Sequence, residues 1–202
     1  MKKSKLEAAE TRRKIVKTAA AEFRQKGING TSLVDLMAAA GLTHGGFYRH
    51  FESRDQLVAE ACAAAFESAN ETAWVPLLQQ SKRNGLDAFV AKYLSEEHRD
   101  DQRGGCPFAA LGSELARSDE NTRAAATEGL SKLVEAIAGQ FSELRPDVAK
   151  RQALVTLSTM IGALTLARMV NDSRLSTTIL RESAKHVTGK SSARRRTAID
   201  IR

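Results

Sequence analysis

The chain of 202 residues is long enough for one or two domains with a proper core. Apolar residues make up 42% of it and charged residues 27%, and it has only three prolines and two cysteines. That composition favours a soluble, mostly helical protein and excludes a disulfide framework. The formal net charge of +7 is concentrated at the ends: residues 1–26 carry +6 and residues 185–202 carry +5. Either one end meets a polyanion, or both ends are solvated tails.

The N-terminal stretch is charged and has no apolar segment, so we expect no signal peptide. The most apolar stretch, "ALVTLSTMIGALTLARMV", is interrupted by Thr, Ser and Arg168, and we expect it to fall short of a membrane span. We therefore expect a cytoplasmic protein that does not contact a membrane.

The first two predicted helices are read from apolar spacing and end signals. From Thr11 the apolar positions recur at helical spacing up to Gly27, which is a natural C-terminal stop. A second helix begins at Ser32, where Asp35 at the third helical position completes a capping box, and it ends at Gly41.

The third predicted helix, "THGGFYRH", contains two adjacent glycines, each of which costs about 1 kcal/mol in a helix interior. With Thr43 as N-cap, Gly45 and Gly46 occupy the first turn, where amides lack intrahelical partners. Leu42 before the cap and Phe47 are spaced as a hydrophobic staple. The glycines are therefore predicted to let the helix end approach a ligand closely.

A fourth helix starts at Ser53, with Gln56 forming a second capping box, and continues towards Trp74. Glycines then precede two shorter helices, and long amphipathic stretches follow. The predicted fold class is all-α, with a small N-terminal helix-turn-helix domain before a larger helical bundle. The predicted limits are residues 1–52 for the first domain, 53–188 for the second with the helix from 53 joining them, and 189–202 for a basic, flexible tail.

A helix, a short glycine turn and a second helix form the arrangement of a DNA-binding helix-turn-helix, whose second helix enters the major groove by its N-terminal end. This geometry assigns positions near base edges to the first turn of the third helix and phosphate contacts to the polar residues around it. The first group comprises Thr43, His44, Gly45 and Gly46; the second comprises Thr31, Ser32, Tyr48, Arg49, His50 and Arg54.

The stretch "TRRKIVKTAAAEFRQKGINGTSLVDLMAAAGLTHGGFYRHFESRDQLVAEAC" closely resembles the DNA-binding domain of TetR/AcrR-family transcriptional regulators. The resemblance includes "F-x-x-x-G" at the end of the first helix, "TS-x-x-D-L-x-x-x-A-G-L" in the second, "FYRHF" in the recognition helix and "S-R-D-Q-L" in the fourth. It implies a homodimeric repressor, a palindromic DNA operator, and a C-terminal helical domain that dimerises and binds a small-molecule effector. "GGCPFAALGSELA" resembles a stretch in a subset of such regulators.

Carried over residue by residue, the resemblance places base contacts on Thr43, His44 and Gly46. It also places phosphate contacts on four residues. The chain departs from many relatives at His44, where they have Lys, Arg or Pro, and at Gly46, where they have a side chain. The four residues with implied phosphate contacts are Ser32, Tyr48, His50 and Arg54.

The predicted effector pocket takes aromatic side chains from the C-terminal helices, and the alternative for each is an ordinary core position. Cys106 precedes Pro107 and is predicted to cap a helix, either as a sensor of oxidants or electrophiles or as a small buried hydrophobe. Cys62 is predicted to be core. The candidate pocket residues are Trp74, Phe89, Tyr93, Cys106, Phe108 and Phe141.

The four histidines and two cysteines show no metal-ligand spacing, and no phosphate-binding or nucleophile motif is present, so we predict no metal, no cofactor and no enzymatic activity. The pair Gly162–Ala163 permits close approach of a helix, either from a second subunit or from the same core. The alternative function is a helical small-molecule carrier or enzyme that does not bind DNA.

Overall fold

The structure is a computed structural model, and it describes residues 5–80 and 85–189. This described part contains helices and turns and no strand, so the all-α prediction is confirmed. The predicted basic tail, from residue 190 on, lies outside the described residues. The α-helices are α1 (Lys5–Lys26), α2 (Leu33–Ala39), α3 (Arg54–Ala69), α4 (Val75–Gln79), α5 (Gly85–Tyr93), α6 (Glu96–Asp100), α7 (Pro107–Leu115), α8 (Glu120–Ala138), α9 (Pro146–Met169) and α10 (Ser173–Val187).

Three segments have other helical geometry: 3₁₀ helices at His44–Arg49 and Gly139–Phe141, and a π turn at Asn70–Trp74 that continues α3. The helix predicted from Ser53 towards Trp74 is therefore continuous in space but changes pitch after Ala69. The last helix starts four residues before its predicted position at 177, because the Asp172 carboxylate caps the amides of Arg174 and Leu175.

The described chain packs as two compact units. Unit 1 comprises residues 5–72 and 102–131, and unit 2 comprises residues 73–80, 85–101 and 132–189. This division describes how the chain packs and does not define its functional domains. The functional domain limits at residues 52 and 188 stay a prediction.

The core of unit 1 is built from the inward faces predicted for the first helices. Ile15 and Phe23 of α1, Met37 of α2 and Leu57 of α3 are almost fully buried. The later helix α7 adds Leu111 to the same cluster. Burial of side chains of this size stabilises a fold by about 1.5–3 kcal/mol each, so α7 is a structural part of this unit.

Both predicted caps hold the helix starts, with one difference in their second hydrogen bond. Ser32 Oγ accepts from the Asp35 amide at 3.1 Å, and it donates to Asp35 Oδ2 at 2.6 Å. Ser53 Oγ accepts from the Gln56 amide at 3.1 Å, while Gln56 Oε1 accepts from the Glu52 amide at 2.8 Å. A capping box also predicts that the side chain at the third position accepts from the amide of the cap residue. Neither Asp35 nor Gln56 makes that hydrogen bond.

The helices α3 and α8 approach closely at a glycine. A Cβ atom added to Gly129 would lie 2.6 Å from Phe66 Cβ, and Asn70 Nδ2 donates to the Gly129 carbonyl at 2.9 Å. Phe66 also stacks on Phe108 of α7, with ring centroids 4.5 Å apart. Gly129 therefore permits an approach that any larger residue would prevent.

In unit 2, α9 packs along α10 and against α6. The Arg168 guanidinium of α9 donates to the carbonyls of His98 and Arg99, at 2.8 and 2.9 Å, and to that of Asp101 at 3.2 Å. These carbonyls lie towards the C-terminal end of α6, where carbonyl groups lack helical partners. The Arg168 guanidinium therefore caps the C-terminal end of that helix.

Helix α9 is the one described helix long and apolar enough to cross a membrane by length and composition, although 39% of its most apolar window is buried. The expectation that it falls short on those grounds was therefore wrong. The core helix of a soluble protein passes the same test, and Met160 and Leu164 of α9 are fully buried.

Candidate DNA-binding surface

The recognition helix His44–Arg49 is anchored from its inner side. Phe47 is fully buried and stacks on Phe51, with ring centroids 5.3 Å apart. Arg12 of α1 lies over the Phe51 ring at 4.6 Å, donates through Nε to the His50 carbonyl at 3.1 Å, and forms an ion pair with Glu60. The end of the recognition helix is thereby fixed to both α1 and α3.

The opposite side of this helix is open. Thr43, His44 and Gly45 are exposed, and Gly46 is half-buried. A Cβ atom on Gly45 would meet nothing within 4 Å, and one on Gly46 would make only ordinary contacts, 3.8 Å from Met37 Cε and 3.9 Å from Thr43 Oγ1. Neither glycine has a positive φ. The protein itself therefore does not need glycine at either position.

The first turn is tighter than predicted because the helix is 3₁₀. Thr43 is the N-cap by its backbone, but its side chain makes no capping hydrogen bond. The Gly46 amide donates to the Thr43 carbonyl at 3.0 Å, so the prediction that this amide lacks an intrahelical partner was wrong. A short segment with two glycines nucleates an α-helix poorly, and 3₁₀ geometry is common in such pieces.

Of the residues predicted to hold phosphates, three side chains already have partners within unit 1. Thr31 is buried and its hydroxyl donates to the Gly27 carbonyl at 2.8 Å. Ser32 caps α2, as described above. Arg54 Nη2 donates to the carbonyls of Ile28 and Thr31, at 2.5 and 3.0 Å, and so braces the turn between α1 and α2.

Around the recognition helix, Tyr48 and Arg49 point to solvent. Tyr48 is 68% exposed, and its ring packs edge-on against Phe47 at 5.1 Å. Arg49 is exposed and His50 is half-buried. The structure thus brings an exposed phenol, an exposed guanidinium and a half-buried imidazole to one short stretch of chain.

Sequence reasoning missed Glu114 of α7, whose carboxylate accepts from the amides of Ile28 and Asn29 at 3.1 and 2.9 Å. Gly27, with φ of +80°, lies directly beneath it, since an added Cβ would stand 2.9 Å from Glu114 Oε2. The turn between α1 and α2 is therefore held by a carboxylate on its amides and by Arg54 on its carbonyls. The sequence separation of 85 and 86 residues leaves no local signal for this pairing.

Three of the six candidate effector residues come together in unit 2. The Trp74 ring lies 5.7 Å from Phe89 and 5.2 Å from Tyr93, and all three residues are buried. His98, which the sequence did not point to, joins them at 5.0 Å from Trp74. The indole Nε1 of Trp74 is buried without a hydrogen-bond partner among the described residues.

The other three candidates lie elsewhere. Phe141 is half-buried in unit 2, while Cys106 and Phe108 belong to unit 1. Cys106 is 1% exposed and is the N-cap of α7 as predicted, although its side chain makes no capping hydrogen bond. Cys62 is core as predicted, and burial raises the pKa of its thiol to about 12.

Burial lowers the pKa of His98 below its ordinary value of 6.5, with its Nδ1 2.6 Å from the Tyr93 carbonyl. The unfolded chain therefore binds this proton more readily than the folded chain does. The contribution of His98 to stability is fully present above about pH 6.5 and is lost as the pH falls towards its lowered pKa in the folded chain. We expect the free energy of unfolding to decrease from pH 7.5 to 5.5, by at most about 1.4 kcal/mol per pH unit from this one site. Urea titrations of H98Q should show a flatter profile, and H186Q, at an exposed position of α10, should match the parent chain. An unchanged slope in H98Q would contradict this assignment.

Across the described ranges, no group of three His, Cys, Asp or Glu side chains could hold a metal ion. The exposed surface described above offers hydrogen-bond donors and positive charge but no assembled acid, base and nucleophile.

Residues 15–61 match the profile described as bacterial regulatory proteins of the tetR family, and residues 83–186 match that of the LmrA/YxaF-like transcriptional regulator C-terminal domain. The chain is 30% identical over 172 residues to an uncharacterised HTH-type transcriptional regulator of Mycobacterium tuberculosis, covering 80% of this chain and 86% of that protein. It is 44% identical over 59 residues to the probable acrEF/envCD operon repressor of Escherichia coli, covering 29% and 27%.

A solved TetR transcriptional regulator from Chloroflexus aurantiacus is 32% identical, with a TM-score of 0.74 over 93% of this chain and 96% of that one. The profile of the C-terminal part alone spans more than half of the sequence, and the N-terminal profile covers the helix-turn-helix just described. The chain therefore belongs to the TetR family of bacterial transcriptional regulators.

Proposed function

We propose that the chain is a homodimeric repressor that binds a palindromic DNA operator and leaves it when a small-molecule effector binds its C-terminal helices. One observation carries the DNA-binding part of the proposal. The first turn of a firmly anchored recognition helix presents two glycines whose missing side chains the protein itself does not need. The name of the E. coli relative, a probable operon repressor, supports repression. Such a regulator acts in the cytoplasm.

In this proposal the first turn reads the major groove, with Thr43 and His44 contacting base edges and Gly45 and Gly46 allowing close approach. Surrounding side chains contact the phosphates, and the basic residues of α1 add a salt-dependent contribution to the affinity for DNA. The two recognition helices of a dimer must match successive major grooves, about 34–36 Å apart. The phosphate contacts proposed are Ser32, Tyr48, Arg49, His50 and Arg54, of which Arg54 can take part only while keeping its bonds to the turn. The predicted contact at Thr31 is not proposed, because that side chain is buried and bonded to the Gly27 carbonyl.

The dimer surface proposed is the outer face of α9 together with the start of α10. Val155 is 59% exposed and Met169 is 70% exposed, with Leu154, Leu166 and Leu175 also exposed. A Cβ atom on Gly162 would meet nothing within 4 Å. An apolar helix face of this extent is typical of a surface that a second subunit covers.

The effector is proposed to bind beside the aromatic cluster in unit 2, because the buried indole Nε1 of Trp74 is a donor that a ligand acceptor would satisfy. A coupling of about 1–3 kcal/mol between effector and DNA would change operator affinity about 5–150-fold. Of the six candidates, Trp74, Phe89 and Tyr93 form this proposed site and Phe141 is a further candidate in the same unit, whereas Cys106 and Phe108 belong to unit 1 and are not part of it.

The test is a gel shift with DNA from around the protein's own gene, repeated at several salt concentrations. A sequence-preferring complex that weakens with salt and contains two protein chains is the expected result. The alternative, a helical carrier or enzyme without DNA binding, predicts no such complex and turnover or tight binding of a small molecule alone. That outcome would reject the repressor.

Replacing Tyr48 by Phe should weaken binding about tenfold on every DNA sequence alike. The change removes a hydroxyl proposed to donate to a phosphate, while the ring contact with Phe47 is kept. Fluorescence anisotropy with the operator and with single-base variants measures this. A loss confined to one base position would assign Tyr48 to base readout instead.

Replacing Val155 by Glu should weaken the dimer at least about tenfold, or about 1.4 kcal/mol, since the charge would have to be buried on association. Sedimentation velocity over a range of concentrations gives the dimer dissociation constant. Val34 of α2 has the same 59% exposure, so V34E is the matched control and should leave the dimer unchanged. Equal effects of the two substitutions would remove α9 from the interface.

A further inference from the structure

A cavity of about 680 Å³ lies between α1 and α3, within unit 1. Its volume is within the range of about 300–1,000 Å³ that small-molecule sites occupy. None of the proposed DNA contacts lines it, and neither does any of the candidate effector residues. It is therefore a separate feature of the molecule, and the proposed function draws on its lining only through the general positive charge of α1.

Small side chains on both helices leave this space open. Val16, Ala20 and Ala21 of α1 face the cavity, and Ala63 and Ala64 of α3 line it from the other side. Longer aliphatic residues at these positions would fill the gap between the helices, as they do in a close-packed core. The inner wall is thus apolar and suits a compact hydrocarbon or aromatic body.

The remaining lining is mainly cationic. Arg12 and Glu60 line the cavity but neutralise each other as an ion pair. Beyond that pair the lining has three cations, Arg13, Lys17 and Arg24, and one carboxylate, Glu67. The excess of positive charge beside an apolar wall favours a ligand that carries an anion at one end.

We propose that this cavity binds a small amphipathic organic anion, a carboxylate carried on a short apolar body. The body lies against Val16 and the alanines, and the carboxylate is held by Arg13 and Lys17. Arg12 connects the site to the recognition helix, because the same guanidinium that lines the cavity donates to the His50 carbonyl. Occupancy of the cavity thereby acts on the helix that is proposed to read DNA.

The test is calorimetric titration of the full chain, without DNA, using octanoate, 1-octanol and acetate as probes. Octanoate should bind saturably, 1-octanol more weakly because it lacks the charge, and acetate not at all in the same range. R13Q and K17Q should each weaken octanoate about 2–5-fold, as expected for loss of an exposed charge contact. A64F should abolish binding by filling the space.

Lys14 provides the matched control, since it is exposed on the same helix but does not line the cavity. K14Q should bind octanoate like the parent chain, and thermal melting checks that every variant is folded. The absence of saturable octanoate binding would overturn the proposal. So would equal binding of 1-octanol, or equal weakening by K14Q. Because DNA is absent, these results do not depend on whether the proposed repressor function holds.

A second titration tests the consequence for DNA. Octanoate at saturation should change operator affinity in the parent chain but not in A64F. If R13Q and K17Q weaken operator binding while octanoate binds neither variant nor parent, the rim is a phosphate-contacting surface and the cavity has no ligand role.

Discussion

Replacing Gly46 by Leu should weaken operator binding by at least about a hundredfold, or about 2.7 kcal/mol, while the protein stays folded. The reason is that, in the proposed docking geometry, a side chain here projects from the first turn of the recognition helix towards the DNA, and the protein has room for it. A Cβ atom meets only Met37 Cε and Thr43 Oγ1, at ordinary distances. Leucine also favours helical backbone by up to about 1 kcal/mol over glycine, so the melting temperature should be equal or higher.

The control for this prediction is Gly139→Leu. Gly139 opens the other described 3₁₀ helix and is exposed, and a Cβ atom added there would meet nothing within 4 Å. Anisotropy should show parent-like operator affinity for G139L and none measurable for G46L. Gly46→Ala should fall between them. If G46L protects the operator normally in a footprint, this turn does not approach DNA and the docking geometry proposed here is wrong.

The second large effect is expected at Glu114, where alanine should destabilise unit 1 by about 2–3 kcal/mol. One carboxylate accepts two backbone hydrogen bonds from the turn between α1 and α2, and hydrogen bonds to charged groups contribute about 1.5–3 kcal/mol. Glutamine keeps the shape and one acceptor oxygen, so E114Q should lose about half as much. Chemical denaturation gives these free energies.

Amide hydrogen exchange tests whether the effect of E114A is concentrated at the turn between α1 and α2. The amide protons of Ile28 and Asn29 should exchange faster in E114A, because each loses its acceptor. Glu10→Ala, at an exposed position of α1 in the same unit, is the control and should change neither stability nor exchange by a measurable amount. Unchanged exchange at both amides in E114A would show that the carboxylate does not hold the turn in solution.

The parts of the fold that the sequence predicts well are those with short-range physical causes. Ser32 and Ser53 start their helices because their hydroxyls accept the amides three residues on. Gly41, with φ of +70°, ends α2 because few other residues adopt that backbone. The recognition helix was found from Thr43, the glycine pair and the staple spacing. The 3₁₀ geometry of this helix was not predicted, because the spacing of apolar residues over six positions does not distinguish 3.0 from 3.6 residues per turn.

The parts that escaped prediction depend on contacts between distant segments. Arg54 looked like a phosphate ligand because it opens a helix next to the recognition helix, yet its guanidinium braces the turn at Ile28 and Thr31. Glu114 accepts from amides 85 and 86 residues away, and no neighbouring residue predicts that pairing. The bond of His98 to the Tyr93 carbonyl spans only five residues, but no signal in the sequence predicts its contact with the Trp74 ring. The sequence also did not determine which aromatic residues form a cluster. Helical spacing predicts that they face inward, but not which residues they contact.

That α7 belongs to unit 1 has a consequence for how the protein is made. The ribosome completes residue 72 and must then add about sixty more residues before residue 131 ends this unit, which takes about 3–12 seconds at usual rates of synthesis. During that interval the nascent helix-turn-helix lacks Leu111 in its core and the Glu114 carboxylate on its turn. During this interval the emerging chain therefore exposes the apolar surface that α7 later covers.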